Sequence, residues 1–160
     1  MLGRLFVVAT PIGNLSDISE RAKATLASVD VILCEDTRET GKLLKAYGID
    51  TRTLSYHQHS GGMKTNKIIE ILESGQDLAL VTDAGTPAIS DPGGKLIEEL
   101  IAKFGENFSV SPIPGASAAI SALSVAGFPA DEYVFLGFPP HKKGRQTFFD
   151  RVASIESTIV

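Results

Sequence analysis

The sequence predicts an α/β fold, a mostly parallel sheet with helices on both faces, and three observations carry that prediction. Short, continuous apolar runs recur along the chain, as strands covered on both faces require. Between them lie amphipathic segments of about ten residues, several of which stop at a glycine. The loops leaving the carboxyl ends of the apolar runs are unusually rich in Gly, Pro, Thr and Asp. With 160 residues, 43% of them hydrophobic and 21% charged, the chain can bury a core without staples.

Residues 5–9 (LFVVA) read as the first strand, and the loop TPIGNLSD follows. Ser16 or Asp17 is the predicted cap of a helix carrying Ile18, Ala22, Leu26 and Val29 on one face. Residues 29–34 (VDVILC) form a second buried strand, and a helix near 40–47 stops at Gly48. A weak strand at 53–56 precedes a helix at 64–74 with Ile68, Ile69 and Leu72 on one side, closed by Gly75. Residues 78–82 (LALVT) are the next strand, and 95–104 a helix with Leu96, Ile97, Leu100 and Ile101 inward, ended by Gly105. A short strand at 108–110, a helix of small residues at 116–126, a strand at 133–138 and a helix from Arg145 to about 155 complete the order. The final STIV begins another β-branched run, which gives the expectation of a longer protein. On that reading, residues 1–140 are an N-terminal α/β domain, and 141–160 are a linker and the start of a second domain missing from this chain.

The formal net charge of −4 argues against a nucleic-acid binder that uses its whole surface. A local basic patch, HKKGR at 141–145, remains, either as a phosphate contact or as a solvated turn. The lone cysteine, Cys34, excludes an internal disulfide framework and fits a reducing compartment; it reads as a small core hydrophobe. No window approaches the ~20 apolar residues of a membrane span, so the expected address is the cytoplasm.

In an open α/β sheet, ligands sit beyond the carboxyl ends of the strands. Four loops there form the expected pocket: TPIGN (10–14), EDTRET (35–40), TDAGTPAISDPGG (82–94) and PIPGASAA (112–119). Phosphate-cradling motifs fail on spacing. A P-loop ending at Gly94-Lys95 would need glycine where Ile89 stands, and no G-x-G-x-x-G follows the first strand. Gly115 to Ala119 approaches a nucleophile elbow around Ser117, with Asp131 and His141 in hydrolase order, but its last position is alanine. His57 and His59 could face a metal from one side, without a third ligand at a recognisable spacing, so no metal is expected. What remains is a neutral-to-acidic cleft rich in backbone. Asp83 can accept from an amine or a ribose hydroxyl. The N–H and C=O groups of residues 84–86 are expected to be open to a ligand. Ala116, Ser117 and Ala118 leave room at a helix N-terminus. This set suits an amino-acid nucleoside better than a polyphosphate.

The segments VATPIGNLSDI, EDTRETGKLL, DAGTPAISDPG, PIPGASAAISAL and GFPPHKKGR occur in the order found in the bacterial ribosomal RNA small-subunit methyltransferase I family. The chain resembles that family over nearly all of residues 5–145, departing at Thr82, where Ser is frequent, and at Pro139, where Leu is usual. The family lies in the tetrapyrrole-methylase superfamily of class III S-adenosylmethionine-dependent methyltransferases. The resemblance implies 2′-O-methylation of a cytidine ribose in 16S rRNA of the small ribosomal subunit, in a cytoplasmic homodimer. It implies S-adenosylmethionine as donor, with Pro11, Asp83, Ala84, Gly85, Thr86, Ser117 and Ala118 binding it. Glu35 and Asp36 are the candidate catalytic carboxylates, with helix capping as their alternative role, and Arg38, Lys142, Lys143 and Arg145 are the candidate RNA contacts. Two alternatives stand beside this reading: carbon methylation of a tetrapyrrole on the same fold, and a cofactor-binding fragment without catalysis.

Overall fold

Alternation of side chains along the buried strands decides the architecture. The computed structural model describes residues 1–57, 61–91 and 93–160 and divides into two units, residues 1–116 and 117–160.

The first unit holds β1 (Leu5–Val8), β2 (Val31–Cys34), β3 (Thr53–Ser55), β4 (Leu78–Leu80) and β5 (Val110–Ile113). They form one sheet in the order β3-β2-β4-β1-β5, and every neighbouring pair is parallel. The connecting helices are α1 (Glu20–Ser28), α2 (Thr37–Ala46), α3 (Gly61–Glu73) and α4 (Gly93–Phe104). Going from β1 to β3 the chain steps one way along the sheet, and from β3 to β5 it steps back. Right-handed crossovers therefore place α1 and α2 on one face and α3 and α4 on the other. Packing agrees. Val8, Ile32, Cys34, Ala79 and Val81 meet Ala22, Leu26 and Leu44, whereas Leu5, Val31, Leu33, Leu78 and Leu80 meet Ile68, Leu72, Leu96 and Leu100. Odd and even positions of β2 and β4 thus feed opposite cores, the two-residue period of a strand.

The predicted fold class and element order hold; several boundaries move for local reasons. Ser19, not Ser16 or Asp17, caps α1, its hydroxyl accepting from Ala22 N at 3.1 Å. The earlier residues are taken into a 3-10 turn, Leu15–Asp17, that Asn14 caps. Strand β5 begins two residues later than expected, because a 3-10 turn at Gly105–Asn107 brings Phe108 back onto Phe104 with ring centroids 5.4 Å apart. Gly48 closes α2 at φ +67°, the left-handed stop its position predicted. Gly3 is required by close approach: its N–H donates to Leu72 O at 2.8 Å, and a Cβ there would lie 1.9 Å from Gln76 O. Cys34 is buried, as expected, with its thiol pushed up by burial.

The second unit holds α5 (Ala118–Val125), β6 (Tyr133–Val134), α6 (Arg145–Ala153) and β7 (Thr158–Ile159). The expected strand at 133–138 shortens to β6, which pairs in parallel with β7, the terminal β-branched run. No helix among the described residues is long and apolar enough to cross a membrane.

Candidate active-site crevice

Adjacent strands β1 and β4 send their following segments to opposite faces of the sheet, so a crevice opens over their carboxyl ends. Thr10, 1% exposed, ties the two lips. Its N–H donates to Gly85 O at 2.9 Å and its carbonyl accepts from Gly85 N at 3.1 Å. Its hydroxyl reaches Thr82 O at 3.1 Å and Gly85 O at 3.4 Å. The Thr86 hydroxyl then donates to Ala116 O at 3.1 Å, joining the segment after β5. This corrects one expectation. The N–H and C=O of Gly85 are not open to a ligand, because Thr10 occupies both. Glycine is needed there for its backbone, at φ +87°. Asp83 and Ala84 are exposed at the mouth, Thr86 is half-buried, and Pro11 lies buried behind them.

The sequence could not separate Glu35 from Asp36; the structure does. Asp36 caps α2, accepting from Arg38 N at 2.8 Å, and pairs with the Arg38 guanidinium at 2.7 Å. Those bonds hold its carboxyl well below the usual carboxylate range. Glu35 is half-buried at the end of β2, and the Thr82 hydroxyl donates to its Oε1 at 3.2 Å. Burial pushes the Glu35 carboxyl up against the opposing pull of that hydrogen bond. The negative charges of Asp91 and Asp83 push the same way, and His57 pulls it down. Asp36 is therefore held as a structural carboxylate, whereas the Glu35 carboxyl is shifted in the opposite direction, upward, by burial.

Three residues escaped the sequence reading. Thr10 and Thr82 each stand directly after an apolar run, a position that could have marked them. Asp91, in D-P-G-G, accepts from Ala88 N at 2.7 Å and Gly93 N at 2.8 Å. It braces a loop whose Ala88 and Ser90 hold φ of +68° and +60°, values costly for residues with a Cβ. Neither loop of the crevice, 9–14 or 82–94, contains Lys or Arg. With Glu35, Asp83 and Asp91 around it, the crevice favours a cationic ligand over a phosphate.

Arg38 is mostly exposed but engaged by Asp36. In the second unit, Ser117 precedes α5 in extended conformation and makes no capping hydrogen bond, and Ala118 is exposed. Ser117, Asp131 and His141 form no hydrogen bond with one another, so no hydrolase triad assembles. Lys142 and Lys143 are exposed with no carboxylate partner among the described residues. Arg145 instead braces its own turn, donating to Pro140 O at 3.1 Å with its guanidinium 5.0 Å from the Phe149 ring. His59 lies outside the described residues.

A doubly wound parallel sheet with an acidic crevice at its switch point defines the class: an α/β protein with a candidate ligand site over the carboxyl ends of β1 and β4. More narrowly, the chain belongs to the tetrapyrrole (corrin/porphyrin) methylases, whose family model matches residues 4–160. It is 46% identical over 157 residues to Ribosomal RNA small subunit methyltransferase I of Mesorhizobium japonicum, covering 98% of this chain and 52% of that protein. To the protein of the same name from Synechocystis it is 49% identical over 161 residues, covering 99% and 56%. The chain thus spans about half the length of the curated relatives it matches. The crystal structure of uroporphyrin-III-C-methyltransferase from Thermus thermophilus superposes with TM-score 0.60 at 20% identity, covering 89% of this chain and 65% of that one. That likeness concerns the fold.

Proposed function

We propose that this chain carries the donor-binding crevice of an S-adenosylmethionine-dependent methyltransferase that methylates the 2′-oxygen of a cytidine ribose in 16S rRNA. The identity to relatives named as small-subunit rRNA methyltransferases supports the substrate, and the lysine-free acidic crevice over β1 and β4 carries the site. S-adenosylmethionine, when bound, supplies an electrophilic methyl on a sulfonium sulfur. Its ammonium and sulfonium charges fit a crevice faced by Glu35, Asp83 and Asp91. Asp83 and Thr86 hold polar groups of the donor, and the Thr10 bridge keeps both lips in register. Glu35 would accept the 2′-hydroxyl proton as that oxygen is methylated, the methyl carbon–sulfur bond of the donor breaking to leave neutral S-adenosylhomocysteine; proton removal of this kind contributes about 10²–10⁴-fold. Thr82 orients that carboxylate.

The reading includes a cytoplasmic location, a homodimer, and residues 141–160 as the link into a second domain, which the greater length of the relatives supports. Mapping ribose methylation of 16S rRNA by mass spectrometry, with and without the gene in its native host, tests the function. Loss of one cytidine 2′-O-methyl group, restored by the wild-type gene, is expected. An unchanged methylation map would overturn it.

A further inference from the structure

Residues 133–149 carry Lys142, Lys143 and Arg145 and no carboxylate, in a chain whose net charge is −4. Within that stretch, Phe138 is 85% exposed, more than any other aromatic side chain described. A phenylalanine in water is costly, and this one is displayed rather than merely loose. Gly137, at φ +69°, turns the chain into it, and Pro139 and Pro140 fix the backbone beyond it with little entropy left to lose. The Arg145 guanidinium anchors the Pro140 carbonyl while lying over Phe149, and Lys142 and Lys143, close beyond Phe138 in the sequence, are exposed with no carboxylate partner among the described residues.

We propose that Phe138 is a stacking platform for an unpaired base of the substrate RNA, with Lys142 and Lys143 holding the adjoining phosphates. The proposal rests on the RNA reading above and adds to it a residue that reads the base. An aromatic face within a basic stretch of chain is how single strands are held. A stacked duplex would offer Phe138 no base face.

The sequence contains no tryptophan, so Phe138→Trp gives the intact protein a single indole reporter at the site. Titration with an unstructured single-stranded oligoribonucleotide is expected to quench it. Phe138→Ala is expected to weaken binding about tenfold and leave the salt dependence intact, since no charge is removed. Lys142→Ala with Lys143→Ala is expected to reduce the salt slope by about 1.4, two phosphate contacts on a single strand. Two results would overturn the platform while leaving the RNA reading standing. One is wild-type affinity in Phe138→Ala. The other is an indole emission in Phe138→Trp that is already blue-shifted and indifferent to RNA, because another part of the protein covers the ring. A wild-type protein that does not bind the oligoribonucleotide at all would count against the RNA reading itself, and the platform would fall with it.

Discussion

The two units of the molecule draw on a similar stock of apolar residues and use it in opposite ways. In residues 1–116, a sheet with helices on both faces hides Leu5, Ile32, Leu33, Leu78, Leu96 and Leu100 completely. In residues 117–160, Leu123 alone is buried among the large apolar side chains, while Ile120, Val125, Phe128, Phe135, Phe138 and Phe149 stand exposed. Burial thus follows from closure of the architecture and not from the residue itself. A unit the size of the second is too small to make a core of its own. The first can hold a precise crevice because its strands are fixed from both faces, and the second offers surface.

The largest expected effect breaks the comparison at its strongest point. Leu100→Ala should cost about 2–5 kcal/mol by urea unfolding, whereas Phe128→Ala should stay within about 0.5 kcal/mol. Equal losses would mean that the second unit has a core of the same kind. Next comes Gly3→Ala, whose new methyl would collide with the Gln76 carbonyl. Overpacking against backbone should cost about 1–3 kcal/mol, measured the same way.

Thr10→Val keeps the shape and removes the buried hydroxyl that ties the lips of the crevice, a loss of about 1–2 kcal/mol. Calorimetry should show weaker S-adenosylmethionine binding in that variant and recovery in Thr10→Ser. Unaltered affinity in Thr10→Val would separate the bridge from the site.

The smallest effect on stability comes from Glu35→Gln, and its sign is the informative part. Burial raises the folded-state pKa of Glu35 above its unfolded value. The native state therefore binds the extra proton, and stability falls as pH rises through that window. Gln removes the loss, so the variant should melt slightly higher at neutral pH and match the wild type below the ordinary glutamate range. Methyl transfer should fall by about 10²–10⁴ in the same variant. The wild-type rate should decline as pH drops through the raised Glu35 pKa.

Much of this was legible in the residues. The runs LFVVA, VDVILC and LALVT announced strands because both faces are buried, and no polar alternation interrupts them. The glycines after α2 and α3 marked their ends because a left-handed stop has few other solutions. The roles of Glu35 and Asp36 were not legible, being adjacent carboxylates in one loop. Only the direction of Arg38, which folds back on Asp36, and of Thr82, which reaches Glu35, separates them. Nor could the sequence show that Gly85 has both backbone groups occupied, since the partner, Thr10, lies on another strand. The chemistry of the loops was visible, but their stitching was not.

The proposed function divides the labour: residues 1–116 would hold the donor, and residues 117–160 would offer the RNA a surface. Backbone amide shift mapping of the isotope-labelled protein tests it most directly, with S-adenosylmethionine and single-stranded RNA added in turn. The donor is expected to move the amides of Thr10, Glu35 and residues 82–86, and RNA those of Phe138 and residues 141–143. Donor shifts confined to the second unit, or RNA shifts confined to the first, would contradict the account.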